Sequence, residues 1–333
     1  MKTFVIAEIG VNHNGSLLIA KKLIRLVKKA GAQAVKFQSY ISKDLVTKHN
    51  PLTEYQKKNN SIDTMLSMLK KYEITKKTQT ILYKYCKKLK IQFISSAFDI
   101  ESLKYLTKNL KVNTLKVPSG EITNLPYLIE IAKAKKKTII STGMSNLFEI
   151  KRTIKVLNKN GLSSKKIILL HCNTAYPTPM EDVNLKNINY LKKYFKTDVG
   201  YSDHTLGIEV AIAAVAMGAS VIEKHVTLDR SFKGPDHSSS ILPSELKRMV
   251  LAIQNIEKAI GKKNKTVTQS EKKNIKLVRK SIVAKKNIEK GEKFNLSNIT
   301  TKRPGSGLSP FLWHKVLQLK AKRNYKEDDL IKL

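Results

Sequence analysis

Apolar positions recur along this chain in two alternating rhythms. Short runs rich in Val and Ile, bounded by turn residues, occupy 4–9, 34–39, 92–97, 114–118, 137–142, 166–173, 198–202 and 220–227, and they read as strands. Between them lie stretches with apolar residues three and four apart, at 16–30, 75–90, 100–108, 125–134, 147–159 and 208–217. These read as amphipathic helices. Strict alternation of strand and helix implies a parallel sheet with right-handed crossovers. Eight such units within roughly 230 residues predict an α/β fold of the closed (β/α)8 TIM-barrel type. An open doubly wound sheet is the alternative, but Glu8-Ile9-Gly10-Val11-Asn12-His13-Asn14-Gly15 does not carry the G-x-G-x-x-G spacing after the first strand.

Two features interrupt the rhythm. The connection 40–74 is long, polar and tyrosine-bearing, the kind of segment that forms a lid over a barrel site. After a last barrel helix over 243–260, closed by Gly261, the chain becomes hydrophilic and then changes pattern. The expected organisation is a barrel over 1–262, a linker over 263–279 and a small domain over 280–333. A domain of that size is near the lower limit for independent stability and is expected to pack on something.

Composition alters this picture little. The formal charge is +37, with Lys+Arg 63 against Asp+Glu 26. The basic residues are overwhelmingly lysine, scattered as pairs and triplets over helix faces with few aromatics among them. Readers of bases and phosphates favour arginine and stacking rings, so the charge reads as a solvated lysine surface, and no nucleic-acid partner is expected. No apolar run is long enough to cross a membrane, and none is expected as partner. The chain enters its first strand at Thr3 without a signal-peptide pattern. With two cysteines in core-type contexts, this suits a reducing cytoplasm.

The chemistry gathers at the strand ends. They offer Glu8, Asn12 and His13; Lys36 and Gln38; Lys116, Ser119 and Glu121; Ser141 and Thr142; His171, Asn173 and Thr174; Ser202, Asp203 and His204; Glu223 and His225. Residues two apart share one face of a strand. A barrel interior is normally filled with branched aliphatics, so lysine and glutamate there are costly unless paired or used. Two histidines on consecutive strands, each beside a carboxylate, suit a divalent metal such as Mn, Fe, Co or Zn. Asp203 or Glu223 could orient the rings. Lys36 or Lys116 could instead form a Schiff base, as in barrel aldolases, or snorkel at the rim. Ser119-Gly120 and Ser141-Thr142-Gly143 offer hydroxyls and free N–H groups of the kind that hold phosphate.

As an ordered set these segments resemble the sialic acid synthase family. The resemblance rests on Ala7–Gly15, Val35-Lys36-Phe37-Gln38, Lys116-Val117-Pro118-Ser119-Gly120-Glu121, Ser141-Thr142-Gly143-Met144 and His171-Cys172-Asn173-Thr174-Ala175-Tyr176-Pro177. It continues through Ser202-Asp203-His204-Thr205, Glu223-Lys224-His225, Gly234-Pro235-Asp236-His237 and Lys302-Arg303-Pro304-Gly305, in order from residue 3 to the C-terminus. The resemblance implies a phosphoenolpyruvate-dependent condensing enzyme: a (β/α)8 barrel with a small antifreeze-like (SAF) domain that caps the partner's barrel in a domain-swapped homodimer. It implies a divalent metal, Mn with Mg or Co as alternatives, on His204 and His225. It gives Lys36, Lys116, Ser119, Ser141 and Ser202 to the phosphate and carboxylate, and Glu8 to proton transfer. Gln38, Glu121, Tyr176 and Asp236 would bind an N-acetylated hexosamine, with Asn173, Thr174 and Glu223 beside them and Arg303 arriving from the partner. Asn173-Thr174 stands where some relatives carry Thr-Asn, and Arg279 where some sialate synthases place an aromatic residue. Both features occur in the branch with legionaminate synthases and in some N-acetylneuraminate synthases, so the sugar stays open between N-acetylmannosamine and its 6-deoxy-diacetamido relative.

Overall fold

The structure, a computed structural model, describes residues 2–53, 56, 64–261 and 264–333. It divides into two compact units, Met1–Gly261 and Lys262–Leu333.

The first unit is a closed barrel of eight parallel strands in sequential order. The strands are β1 (Phe4–Gly10), β2 (Ala34–Ser39), β3 (Gln92–Ala97), β4 (Thr114–Val117), β5 (Lys137–Ser141), β6 (Ile167–Cys172), β7 (Asp198–Asp203) and β8 (Val221–His225). The surrounding helices are α1 (Leu17–Ala30), α2 (Met65–Tyr72), α3 (Lys76–Lys88), α4 (Ile100–Lys104), α5 (Leu125–Lys133), α6 (Leu147–Lys159), α7 (Lys186–Phe195), α8 (Glu209–Ala216) and α9 (Pro243–Ile260). Local sequence sets their ends. The Ser16 hydroxyl accepts from the Ile19 N–H and starts α1, and Gly31 at φ 94° stops it. Asn146 and Glu149 form a capping box at the start of α6. The helix expected over 100–108 is α4 followed by one π-type turn, Tyr105–Asn109.

Strand alternation makes two cores. Outward-facing residues such as Val5, Ala7, Ile9, Val35 and Phe37 meet Leu23, Ile24 and Val27 of α1 and the corresponding faces of the other helices. Inward-facing Ile6, Ala34, Ile94, Ile139, Ile168, Leu170 and Val221 fill the barrel's lower interior. Gly200 of β7 sits where this filling is tightest. A Cβ there would lie 2.7 Å from Leu170 Cδ2 and collide with the Val221 carbonyl.

The lid expected over 40–74 falls partly on 54–55 and 57–63, outside the described residues. The rest of that connection holds a one-turn helix, Ser42–Leu45, and α2. Tyr40, Leu52, Met68, Leu69 and Tyr72 pack there with Val11 as a separate apolar cluster.

The second unit has its own core of Ile282, Ala284, Ile288, Phe294, Ile299, Val316, Ala321, Tyr325 and Ile331. Its strands β9 (Ser281–Ala284) and β10 (Ile299–Lys302) pair antiparallel. The stretch expected as linker over 263–279 is mostly a helix, α10 (Gln269–Val278), begun by a Thr268/Glu271 capping box. The Gly305 N–H donates to the Lys276 carbonyl at 2.8 Å, which ties α10 to the rest of this unit. Among the described residues, no helix is long and apolar enough to cross a membrane.

Candidate active site

Five of the strands change character two residues beyond an aliphatic inner position. Ile6 is followed by Glu8, Ala34 by Lys36, Ile94 by Ser96, Ile139 by Ser141 and Val221 by Glu223. Glu8 pairs in register with Lys36 and with His225, Ser96 with Lys116, and Ser202 with Glu223, while Lys36, Lys116 and Glu223 also stand level with Ile94, Ile139 and Ile6, a stagger that the tilt of barrel strands takes up. Above these polar residues opens a cavity of about 270 Å³.

The floor of that cavity is a buried charge cluster. Lys36 Nζ lies 3.0 Å from Glu8 Oε2 and 3.6 Å from Glu223 Oε1, and Lys116 Nζ lies 3.7 Å from Glu223 Oε1. Lys36 donates to the Ser96 hydroxyl at 3.2 Å, Lys116 to the Ser141 hydroxyl at 2.6 Å, and Ser202 to Glu223 at 3.0 Å. Burial raises the Glu8 pKa to about 7, against the pull of Lys36. Burial opposes the Lys36 ammonium, but Glu223 and Glu8 outweigh it and hold its pKa above the usual lysine value. Lys116 moves the other way, lowered by burial that Glu223 offsets only in part. Glu223 is held below the usual carboxylate range because Lys116 and Lys36 overcome its burial. Near neutral pH Glu8 is only partly ionised while Lys36 is held as an ammonium, an arrangement that suits an incoming anion.

The two histidines stand beside this floor with ring centroids 5.5 Å apart. Burial lowers the His204 pKa to about 4 and holds His225 well below its ordinary value, where the His204 charge adds to the effect. Both rings are thus neutral. The His204 Nδ1–H donates to the Asn173 carbonyl at 2.6 Å, which leaves Nε2 with its lone pair, 3.4 Å from the Ser202 hydroxyl. His225 Nδ1 is buried without a hydrogen bond, 3.5 Å from Asp236 Oδ2. Two neutral imidazoles with unused nitrogen lone pairs fit a divalent metal. The described residues hold no cluster of three or more His, Cys, Asp or Glu suited to a metal, so the remaining positions would fall to substrate and water. The Tyr176 ring lies over His204, with centroids 4.1 Å apart.

Most of the residues expected from sequence line this one cavity: Glu8, Lys36, Gln38, Lys116, Ser119, Ser141, Thr174, Tyr176, Ser202, His204, Glu223, His225 and Asp236. Three do not. The Asn173 side chain turns back to accept from the Ala175 N–H at 2.7 Å, so only Thr174 of that pair reaches the cavity. Glu121 is held in the turn after β4 by Asn124, which donates to it at 2.6 Å. Arg303 lies exposed at the end of β10, in the second unit. Neither Asp203 nor Glu223 orients a histidine ring, as sequence had suggested. Asp203 points to the outer side of the sheet, and Glu223 serves the lysines and Ser202. Sequence reasoning missed Ser96, although it follows Ile94 by two. It also missed an apolar wall of Tyr40, Leu45, Met65, Met68, Leu69 and Phe98.

Comparison with known proteins agrees with this geometry. A sequence model of the NeuB family matches residues 23–265, and one of the SAF domain matches residues 279–333. The N,N'-diacetyllegionaminic acid synthase of Campylobacter jejuni is 51% identical over 99% of this chain and 99% of its own length. The protein of the same name from Legionella pneumophila is 44% identical over 93% of this chain and 88% of its own. Among solved structures, the N-acetylneuraminic acid synthetase of Leptospira borgpetersenii, in complex with citrate, superposes with a TM-score of 0.74 at 34% identity, covering 83% of this chain and 90% of that one. A closed eight-stranded barrel, a two-lysine anion floor beside two neutral histidines, and matches spanning nearly the whole length lead to one assignment: the chain belongs to the NeuB family.

Proposed function

We propose that this protein is a nonulosonate synthase, which condenses phosphoenolpyruvate with an open-chain N-acetylated hexosamine and releases phosphate. The observation that carries the reading is the pair Lys36 and Lys116, buried on either side of Glu223 and each bonded to a serine hydroxyl. Phosphoenolpyruvate brings a phosphate and a carboxylate, and two fixed cations in a dry pocket match it. The enol carbon of phosphoenolpyruvate bonds to the sugar's aldehyde carbon, and the aldehyde oxygen takes the proton that Glu8 holds. Water adds to the resulting cationic C2, Glu8 takes one of its protons, and phosphate leaves by C–O cleavage with the other, giving a 2-keto acid. The Glu8 pKa of about 7 lets it hold and release that proton near neutrality. Seating a divalent cation, Mn before Mg or Co, falls to His204 and His225, and its chemistry would be polarisation of the aldehyde.

For the acceptor we favour 2,4-diacetamido-2,4,6-trideoxymannose over N-acetylmannosamine. Relatives at 51% and 44% identity are named for the diacetyl product. The apolar wall of Leu45, Met65, Met68 and Leu69 suits acetamido methyls and a 6-deoxy carbon better than a hydroxymethyl group. A homodimer completes the reading. Exposed apolar side chains sit in loops and helix starts that follow strands, among them Met144 (72% exposed), Phe148 (70%) and Met180 (55%). Phe311 of the small unit is fully exposed. Two free, buried cysteines suit a reducing cytoplasm. As a Schiff-base nucleophile Lys36 is disfavoured, because its pairing to two carboxylates holds it as an ammonium. An aldolase would have to use Lys116, whose pKa burial lowers, and borohydride trapping of a pyruvyl adduct on Lys116 would favour that reading.

One assay tests these points together. Phosphate release from phosphoenolpyruvate should require the sugar, run faster with the diacetamido compound, vanish on chelation and return with Mn. It should come from a particle twice the mass of one chain. Sugar-independent release or none would reject the reaction, and equal rates with both sugars would reject the acceptor. Full activity after exhaustive chelation would reject the metal, and an active monomer would reject the dimer.

A further inference from the structure

The two histidines have neighbours that the chemistry above leaves unused. Asp203 directly precedes His204, and Lys224 directly precedes His225. The two are register partners across β7 and β8. Strand alternation sends their side chains away from the cavity, into the layer beneath the helices, where aliphatic residues otherwise pack. There Lys224 Nζ lies 2.7 Å from Asp203 Oδ2, with both side chains fully buried. Lys224 also donates to the Thr205 carbonyl at 2.7 Å. The other Asp203 oxygen, Oδ1, accepts from the Thr205 N–H at 3.0 Å and from its hydroxyl at 2.7 Å. Every polar atom of this knot is satisfied within the residues just before and after His204. On the far side, the His204 ring donates to the Asn173 carbonyl and its backbone carbonyl accepts from the Thr178 N–H at 3.0 Å.

A buried ion pair seldom adds net stability over apolar residues of the same size, so its presence calls for another reason. We infer that Asp203 and Lys224 are positioning residues: a buried strut, outside the barrel interior, that locks β7 to β8 and fixes the separation and aim of the His204 and His225 rings. The inference rests on the reading of those rings as metal ligands. Neither residue touches substrate. Their effect passes through backbone shared with the histidines, one residue away on each strand. A slack ladder at this point would let the rings drift independently, and a two-imidazole site has little tolerance for drift.

The test is the double variant Asp203→Asn with Lys224→Met, in the full chain. It keeps an oxygen for the Thr205 donors and leaves no unpaired buried charge. The barrel should stay folded, judged by its melting temperature, while Mn affinity measured by EPR titration falls about 10–100-fold, as for other residues that orient metal ligands. kcat should fall in parallel, with KM for phosphoenolpyruvate little changed because Lys36 and Lys116 are intact. The neutral pair Asp203→Asn with Lys224→Gln, which can keep a hydrogen bond across the strands and also leaves no buried charge, should lose less than the Met variant and covers the case in which that variant does not fold. Wild-type Mn affinity and kcat in a folded variant would overturn the inference, as would a fall in melting temperature alone. If the wild-type protein itself takes up no metal, the reading of the site fails. The inference, which rests on that reading, then falls with it, whereas a wild-type protein that binds Mn beside a folded variant that binds it equally well overturns the inference alone.

Discussion

The barrel interior holds two layers that are equally dry and chemically opposite. Ile94 and Ser96 are both 0% exposed, and Ile6 and Glu8 are 0% and 1% exposed, each pair on one strand and one face. Burial does not separate structure from function here. What separates them is the partner each side chain finds. Ile6, Ala34, Ile94, Ile139 and Val221 find each other, and dispersion with water exclusion holds them. Glu8, Lys36, Lys116 and Glu223 find opposite charges, which repays part of their desolvation and leaves a cluster for an incoming anion to complete. Two residues of travel along a strand thus convert a layer that stabilises the fold into one that spends stability on binding.

The strongest way to break that contrast is to make the upper layer resemble the lower. Lys116→Met should lower kcat/KM for phosphoenolpyruvate by about 10²–10³-fold, since it removes one fixed cation from a water-excluded site. Its melting temperature should hold or rise, because an ammonium whose pKa burial already lowers is replaced by an apolar chain. A melting temperature that falls while the kinetics stay normal would mean that the lysine is structural.

The reciprocal change sits on the neighbouring strand, at the register partner of Lys116 and two residues before Ser141. Ile139→Ala should destabilise the barrel by about 2–5 kcal/mol in urea unfolding, as expected for a cavity that the closed sheet cannot collapse into. Activity per folded molecule should stay near wild type at low temperature. Loss of activity at full folding would show that the lower layer tunes the site, and the division into layers would fail.

The same contrast explains what sequence could reveal. Alternating rhythms gave all eight strands within a residue or two; the run read at 220–227 is β8, Val221–His225. Lysine and glutamate at inner positions were conspicuous because aliphatics belong there. Met65, Met68 and Leu69 gave no such signal, since apolar residues on an amphipathic helix look like core whether they face a core or a cavity. Sequence pattern alone placed Asp203 beside the histidines without telling which side of the sheet it served. Helix α10 was readable from Thr268 and Glu271, but its polar, unburied faces resembled a linker.

The smallest effect sharpens the boundary between the layers at Glu8. Its folded-state pKa of about 7 stands above the ordinary 4.5 because burial disfavours the carboxylate. Folding therefore favours the protonated form. The stability this contributes is complete below pH 4.5 and is lost as pH rises through about 7. Glu8→Gln never ionises and so lacks that dependence, while every other group titrates alike in both proteins. The difference in unfolding free energy, wild type minus variant, should fall by about 2–3 kcal/mol between roughly pH 5 and 8, the attraction of Lys36 being already contained in the value of about 7. A difference that is flat with pH would place Glu8 with the fully ionised groups, and proton transfer at this position would then need another residue.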